Sequence, residues 1–230
     1  VKKLLFLVIL ALPSLAVADI TASLTAASEY TSAGRTQSGG KPAIQGSLTI
    51  AHESGFYFSN WASTVDYGPD YHTFLEYDTY FGYYRALSEN LSIDTGIAPY
   101  FFFGGSDSKD DNYIDYFLTL TLFNNTSIAT IYSPDYSNTG KGVYRTTVQH
   151  LIPFDRFTLG LEVANSKKYD GETWGDKDSS YLYYGVSLTT DWKGFSWQAL
   201  ATATDIDNSP RRYFSADPAL VIKMTKNWSF

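Results

Sequence analysis

Apolar and polar residues alternate along most of this chain, and the alternation breaks at intervals into polar, glycine-containing connections. A period of two marks strands with two unlike faces. The clearest stretch sets Ile114, Tyr116, Leu118, Leu120 and Leu122 against Asp115, Thr119 and Thr121. Similar stretches set Ile44, Leu48 and Ile50 against Gln45, Ser47 and Thr49, and Leu75, Tyr77, Phe81 and Tyr83 against Glu76, Asp78 and Gly82. Leu91, Ile93 and Ile97 oppose Ser92 and Asp94; Phe157, Leu159, Leu161 and Val163 oppose Thr158 and Glu162. Leu182, Tyr184, Val186 and Leu188 oppose Tyr181, Tyr183 and Ser187. Weaker patterns place further strands at about 20–30, 56–66, 126–132, 143–151 and 195–204. The strand at 143–151 holds Arg145 and Gln149 on one face.

With the closing stretch, the pattern predicts about twelve strands. Short turns at His52–Gly55, Ser88–Asn90, Asn124–Asn125, Pro153–Asp155 and Asp191–Gly194 take turns with longer loops at 31–42, near 68–70, 104–112, 133–142, 165–179 and 205–212. An even strand count, short turns on one side and long loops on the other describe a bacterial outer-membrane barrel. Both ends of the strand set fall on the short-turn side. No linker or shift in composition divides residues 19–230, so they are expected to form one domain.

The last strand carries Leu220, Ile222, Met224, Trp228 and Phe230 on one parity, broken by Lys226. A period-two strand ending on an aromatic residue is how outer-membrane barrels close. Trp228 and Phe230 are therefore expected to form the closing signal engaged by the barrel-assembly machinery, with their rings at the interface girdle.

The other end has the form of an export leader. Lys2 and Lys3 precede an apolar run at 4–17, and Ala16-Val17-Ala18 is a small-residue cleavage motif. Cleavage is expected between Ala18 and Asp19, leaving residues 19–230. The apolar run is too short to span a bilayer comfortably as a helix.

Composition narrows the class. The chain has 17 basic and 24 acidic residues; setting aside Lys2 and Lys3 leaves 15 against 24, a net charge of −9. Such a chain is a poor nucleic-acid binder, because phosphate contacts need Lys and Arg. Cysteine is absent, which excludes disulfides and thiolate metal sites. The 19 Tyr, 15 Phe and 5 Trp leave two classes, an exported soluble β protein or a transmembrane barrel. Aromatic residues near strand ends (Tyr30, Trp61, Tyr67, Tyr83, Trp192, Trp228 and Phe230) favour the barrel, because interfacial girdles need them. The expected fold is all-β, an antiparallel up-and-down transmembrane barrel. Its surroundings would be outer-membrane lipid and lipopolysaccharide.

Several segments carry a family likeness. They are Ser28-Glu29-Tyr30, Gly34-Arg35-Thr36-Gln37-Ser38, Pro42-Ala43-Ile44-Gln45-Gly46, Gly55-Phe56-Tyr57 with Trp61-Ala62-Ser63, Glu76-Tyr77-Asp78 with Gly82-Tyr83, and Tyr132-Ser133-Pro134-Asp135-Tyr136. On these the chain resembles the TorF family of porins, formerly described as a conserved bacterial family of unknown function. The likeness is dense over 28–84. Where that family usually carries an Arg-x-Arg-Gly run, this chain has Thr31-Ser32-Ala33-Gly34, with Arg35 after the glycine. The resemblance implies an outer-membrane barrel of porin type and supplies no substrate.

A charge facing lipid at mid-membrane costs about 2–4 kcal/mol for Arg or Lys. Glu76, Asp78, Asp94, Asp115, Arg145, Gln149, Glu162 and Lys223 are therefore expected to line the pore. Five of these are acidic and two basic, which favours cations. Either the lumen is a narrow, mildly cation-selective channel for small solutes or ions, or these charges pair, as Glu76 with Arg145 or Asp115 with Lys223, and plug it. The second case is a non-conducting barrel acting as a structural, adhesion or binding protein through its outer loops.

Signals for chemistry are few. A barrel hydrolase needs a serine beside a histidine; His52 and His72 lie in connections, and nothing in the sequence brings a serine to His150. No G-x-S-x-G elbow occurs. Asp107, Asp110 and Asp111 are expected in a solvated loop. No catalytic residue, metal site or cofactor is expected.

Overall fold

The computed structural model describes residues 19–104, 111–169, 179–207 and 214–230. The leader and its cleavage point at Ala18 lie at or beyond the edge of the described residues, as do Asp107, Asp110 and most of the loop expected at 165–179.

Fourteen strands occur among the described residues. They are β1 (Asp19–Ala27), β2 (Thr31–Ser32), β3 (Arg35–Thr36), β4 (Ala43–Ala51), β5 (Phe56–Thr64), β6 (Leu75–Ser88), β7 (Leu91–Phe103), β8 (Tyr113–Leu122), β9 (Thr126–Ser133), β10 (Val143–Phe154), β11 (Phe157–Lys168), β12 (Ser180–Trp192), β13 (Phe195–Thr204) and β14 (Ala219–Ser229). Twelve form a closed barrel in the order β1-β14-β13-β12-β11-β10-β9-β8-β7-β6-β5-β4, every pair antiparallel. The remaining two, β2 and β3, pair only with each other.

Closure joins β1 to β14, with Thr25 opposite Thr225 and Ala22 opposite Trp228. The Thr25 and Thr225 hydroxyls meet at 2.8 Å inside the seam, and the Phe230 amide donates to Ile20 O at 3.0 Å. The seam leaves neither terminal strand with an open edge, which is what a bilayer demands of a sheet.

Alternation sets the two faces. Leu118 is 42 % exposed, while Asp115 on the other face of the same strand is 2 % exposed. Leu24, Ile44, Leu48, Ile97, Val148, Val163, Val186 and Ile222 are likewise exposed around the outside. In water this continuous apolar belt would be an aggregating surface; in a bilayer it is solvated by acyl chains.

Aromatic residues border the belt. On the long-loop side Tyr116, Tyr132, Tyr144 and Tyr169 follow one another from strand to strand, with Tyr132 and Tyr144 stacked at 4.4 Å. On the short-turn side Phe56 and Tyr83, Phe154 and Phe157, and Trp192 and Trp197 form neighbouring pairs. Three residues assigned to the girdles from their places in the sequence do not belong there. Trp61 faces inward opposite Asp78, Tyr30 lies beyond the end of β1 and packs edge-on against Trp61 at 5.4 Å, and Tyr67 is buried. Nearness to a strand end places a ring at the right height but does not choose its face.

Turn chemistry follows the backbone. Lys193 and Gly194 both take positive φ, 52° and 76°, as a two-residue hairpin matching strand twist requires. Pro153, expected to mark a turn, stays in β10 opposite Thr158; the turn is made by Asp155, with φ 51°, and Arg156. The segment 31–42, expected as an outer loop, contains the extra hairpin β2–β3. Its two-residue turn is Ala33 (φ 47°) and Gly34 (φ 76°). Strands of two residues are too short to show a period, so the alternation signal passes over them.

Candidate functional site: a divided lumen

The β2–β3 hairpin points inward. Its root is held by the Ser28 amide donating to Ile222 O, the Thr36 amide to Ser215 O at 2.8 Å, and the Asp66 amide to Gln37 O at 2.9 Å. Ser38 accepts from the Tyr30 amide and donates to Lys41 O at 2.6 Å. The Lys41 ammonium pairs with Asp66. The tip reaches the facing wall, where the Tyr181 hydroxyl donates to Ala33 O at 3.0 Å. Ala33 packs there against Val143, Ala164, Tyr181 and Tyr183 of β10–β12. A Cβ on Gly34 would strike Thr204 and Tyr183, so glycine is needed for space as well as for φ.

The hairpin lies between two cavities of the lumen, and Ser32 borders both. The larger, about 740 Å³, is bounded by Tyr30 and Arg35, by Glu76, Asp78 and Tyr80 of β6, and by further rings and charges of the wall. The smaller, about 370 Å³, is bounded by Thr31–Ala33, Gln149, Glu162, Gln198 and Lys223.

Seven of the eight residues expected in the lumen are distributed between these spaces. Glu76, Asp78, Asp115 and Arg145 border the larger cavity. Gln149, Glu162 and Lys223 border the smaller, where the Gln149 amide donates to Glu162 at 3.0 Å. Asp94 stands apart, accepting from the Tyr57 hydroxyl at 2.9 Å. That bond depends on Gly82, because the Tyr57 ring lies where a Cβ on Gly82 would sit.

The ion pairs considered from sequence, Glu76 with Arg145 and Asp115 with Lys223, are not formed in the structure. Asp115 instead accepts a close hydrogen bond from Ser133, and Arg145 Nε donates to Ser166 at 3.3 Å. Lys223 borders the smaller cavity with Glu162. Glu76 Oε2 and Asp78 Oδ1 are buried with no hydrogen-bond partner. The acids of β6 and β8 and the bases Arg35, Arg145 and Lys168 of the hairpin, β10 and β11 thus come from different parts of the wall of one cavity.

Sequence reasoning missed the aromatic lining. Tyr100 and Tyr113 stack at 4.5 Å inside the barrel, Tyr113 meets Tyr136 at 4.9 Å, and Tyr67 stacks on Phe214 at 4.9 Å. Arg35 lies over the Phe214 ring at 5.7 Å. Burial, more than any neighbouring charge, pushes the hydroxyls of the loop residues Tyr67 and Tyr136 up, so both keep their protons, and Tyr67 donates to Gln37 Oε1 at 3.3 Å. The inward parity of Tyr80, Tyr100 and Tyr113 was readable from their strands; the loop residues gave no such signal. Asp111, expected in a solvated loop, borders the larger cavity.

His150 faces outward near the short turns, and its Nδ1 meets the Thr126 hydroxyl at 2.8 Å. Its partner is a threonine on the neighbouring strand, so the structure assembles no serine–histidine pair there.

A closed twelve-stranded antiparallel barrel with an apolar outer belt and a polar, partly obstructed lumen defines an outer-membrane β-barrel of porin fold. The chain belongs to the Gcw_chp family, described as a bacterial protein of unknown function, whose model matches residues 14–227. No curated protein matches it in sequence. In structure it is similar to the KdgM porin, with a TM-score of 0.54 and 12 % identity over 92 % of this chain and 99 % of that one. It is also similar to the NanC porin, with a TM-score of 0.55 and 11 % identity over 91 % and 98 % of the two chains. At such identities the likeness establishes the fold.

Proposed function

We propose that this protein is a narrow outer-membrane channel for passive movement of small solutes or ions, of the TorF porin type. The observation that carries the reading is the pair of polar cavities inside the barrel, separated by a hairpin anchored to the wall. Twelve strands lie between the eight of filled barrels and the sixteen to eighteen that hold an open aqueous channel. The inserted β2–β3 hairpin narrows the space that such a barrel leaves. Solutes would enter past Phe214 and Tyr71 and pass Glu76, Asp78 and Asp115. They would then skirt the hairpin and leave past Glu162, Lys223 and Asp94. Unpartnered carboxylate oxygens at the wide end favour cations over anions.

The KdgM fold has also been captured "in complex with disordered oligogalacturonate". That ligand belongs to that porin, and the acidic wall of this chain argues for solutes of another charge. The hairpin's many anchors also fit a second reading, a closed barrel that works through its outer loops.

Removal of residues 1–18 on export, and delivery of the Trp228–Phe230 strand to the barrel-assembly machinery, complete the proposal. The deciding experiment is planar-bilayer recording of the protein purified from membranes, under a salt gradient. Discrete steps with a cation-biased reversal potential are expected. A folded barrel that gives no steps overturns the channel in favour of the closed barrel, and an anion bias overturns the selectivity.

A further inference from the structure

Glu76 and Asp78 are neighbours on the inward face of β6, about 7 Å apart along the strand. They are 5 % and 3 % exposed, border the larger cavity, and each carries a carboxylate oxygen with no partner. A buried carboxylate left unmatched is costly. The other acid on this wall is differently placed, since Asp115 accepts from Ser133. Of the bases on this cavity, Arg145 spends its Nε on Ser166, Arg35 lies over the Phe214 ring, and Lys168 comes from the end of β11. The β6 pair therefore turns to the cavity two acceptor oxygens that no side chain of the wall pairs with.

What surrounds the pair is aromatic. Tyr30 and Trp61 meet at 5.4 Å beside it, and Tyr80 and Tyr100 border the same space. Rings present a negative π face to a cation but no ligand for a hard metal ion, which takes several oxygens at short range. Among the described residues no three acidic, histidine or cysteine side chains are grouped closely enough to hold a metal ion. A cavity of about 740 Å³ suits a small organic molecule.

We infer that the larger cavity is a binding site for a small organic ammonium ion, its charged head against Glu76 and Asp78 and its alkyl groups against the rings of Tyr30, Trp61, Tyr80 and Tyr100. The inference rests on the channel reading only for the ligand's route in, past the long-loop end. The site would hold a cation briefly at the wide mouth before it passes the hairpin, raising its local concentration at the constriction.

The test uses the full protein purified from membranes in detergent. Choline is titrated by calorimetry, beside its uncharged carbon isostere 3,3-dimethylbutan-1-ol and beside magnesium chloride. Saturable choline binding is expected, with the isostere weaker by about tenfold or more, because the charge is the larger part of recognition. Glu76→Gln with Asp78→Asn should weaken choline by about tenfold or more. Both changes keep side-chain shape and remove a buried ionisable group, so the variant should keep its heat-modifiable mobility. Trp61→Leu, which leaves the carboxylates in place, should weaken choline several-fold and serves if the double variant does not fold. Equal binding of the isostere, choline binding indifferent to these substitutions, a preference for magnesium, or no saturable choline signal would each overturn the site. Choline binding by a barrel that does not conduct would overturn the channel and leave the site; conduction without choline binding would do the reverse.

Discussion

The Tyr67 ring stacks on Phe214, centroids 4.9 Å apart and planes 13° from parallel. The stack ties the loop after β5 to the loop before β14 across the mouth of the barrel. Tyr71 meets the same Phe214 ring edge-on at 5.6 Å, and Arg35 of the hairpin lies over it. One phenylalanine thus gathers two outer loops and the inserted hairpin. Its ring borders the larger cavity together with Tyr67, Tyr71 and Arg35.

Phe214→Ala should therefore widen the entrance. Each aromatic pair contributes about 0.5–1.5 kcal/mol beyond area burial, so the loops lose registry while the barrel stays folded. Larger unit conductance with more open-channel noise is expected in bilayer recordings. Unchanged conductance would show that the mouth is not limiting.

Gly34→Val tests the hairpin. The residue has φ 76°, and a Cβ would strike Thr204 and Tyr183. A β-branched residue adds strain of about 1–3 kcal/mol at such a φ. The tip should leave the β12–β13 wall and lose the Tyr181 hydrogen bond. Altered conductance with preserved strand content by circular dichroism is the expected result, since β2–β3 makes no ladder with the barrel.

Gly82→Ala tests the wall lower down. Its Cβ would occupy the place of the Tyr57 ring and break the bond from Tyr57 to Asp94. Overpacking of this kind costs about 1–3 kcal/mol. The urea midpoint in detergent should fall, and the double variant Tyr57→Ala with Gly82→Ala should recover part of the loss.

A paired substitution reads the membrane face directly. Leu118→Arg places a cation on the outward face in the middle of β8, at a cost of about 2–4 kcal/mol in a bilayer. Thr119→Arg, one residue on, points into the lumen opposite Asp94 and Ala129. Folding yield into liposomes should fall for the first and hold for the second. Equal yields would contradict the assignment of faces.

The family and the fold class rest on signals spread along the whole chain. Period-two alternation is local: which residues share a face of β6 or β8 is decided by backbone geometry within each strand. Glu76 falls with Asp78, and Leu118 with Leu120, whatever the barrel does. Short turns such as Lys193-Gly194 and the closing Trp228–Phe230 parity are local in the same sense. From them came the twelve strands, the closed antiparallel order and the expectation that charges turn away from lipid.

What depended on the tertiary structure was everything made by segments that meet only after closure. Tyr30, Trp61 and Tyr67 sit near strand ends, and a girdle position was the natural expectation; all three turn inward to pack with residues far away in the chain. The hairpin at 31–36 reads as a polar loop because its strands are too short for a period. It becomes the partition of the lumen through bonds to Ile222, Ser215 and Tyr181, residues some 180 positions or more away from its root and about 150 from its tip. Partners were equally hidden: Asp115 finds Ser133 and Glu162 finds Gln149 across strand pairs, while Glu76 and Asp78 are left with unpartnered oxygens. Alternation states which side of a strand a residue is on; only the closed barrel decides what it faces there.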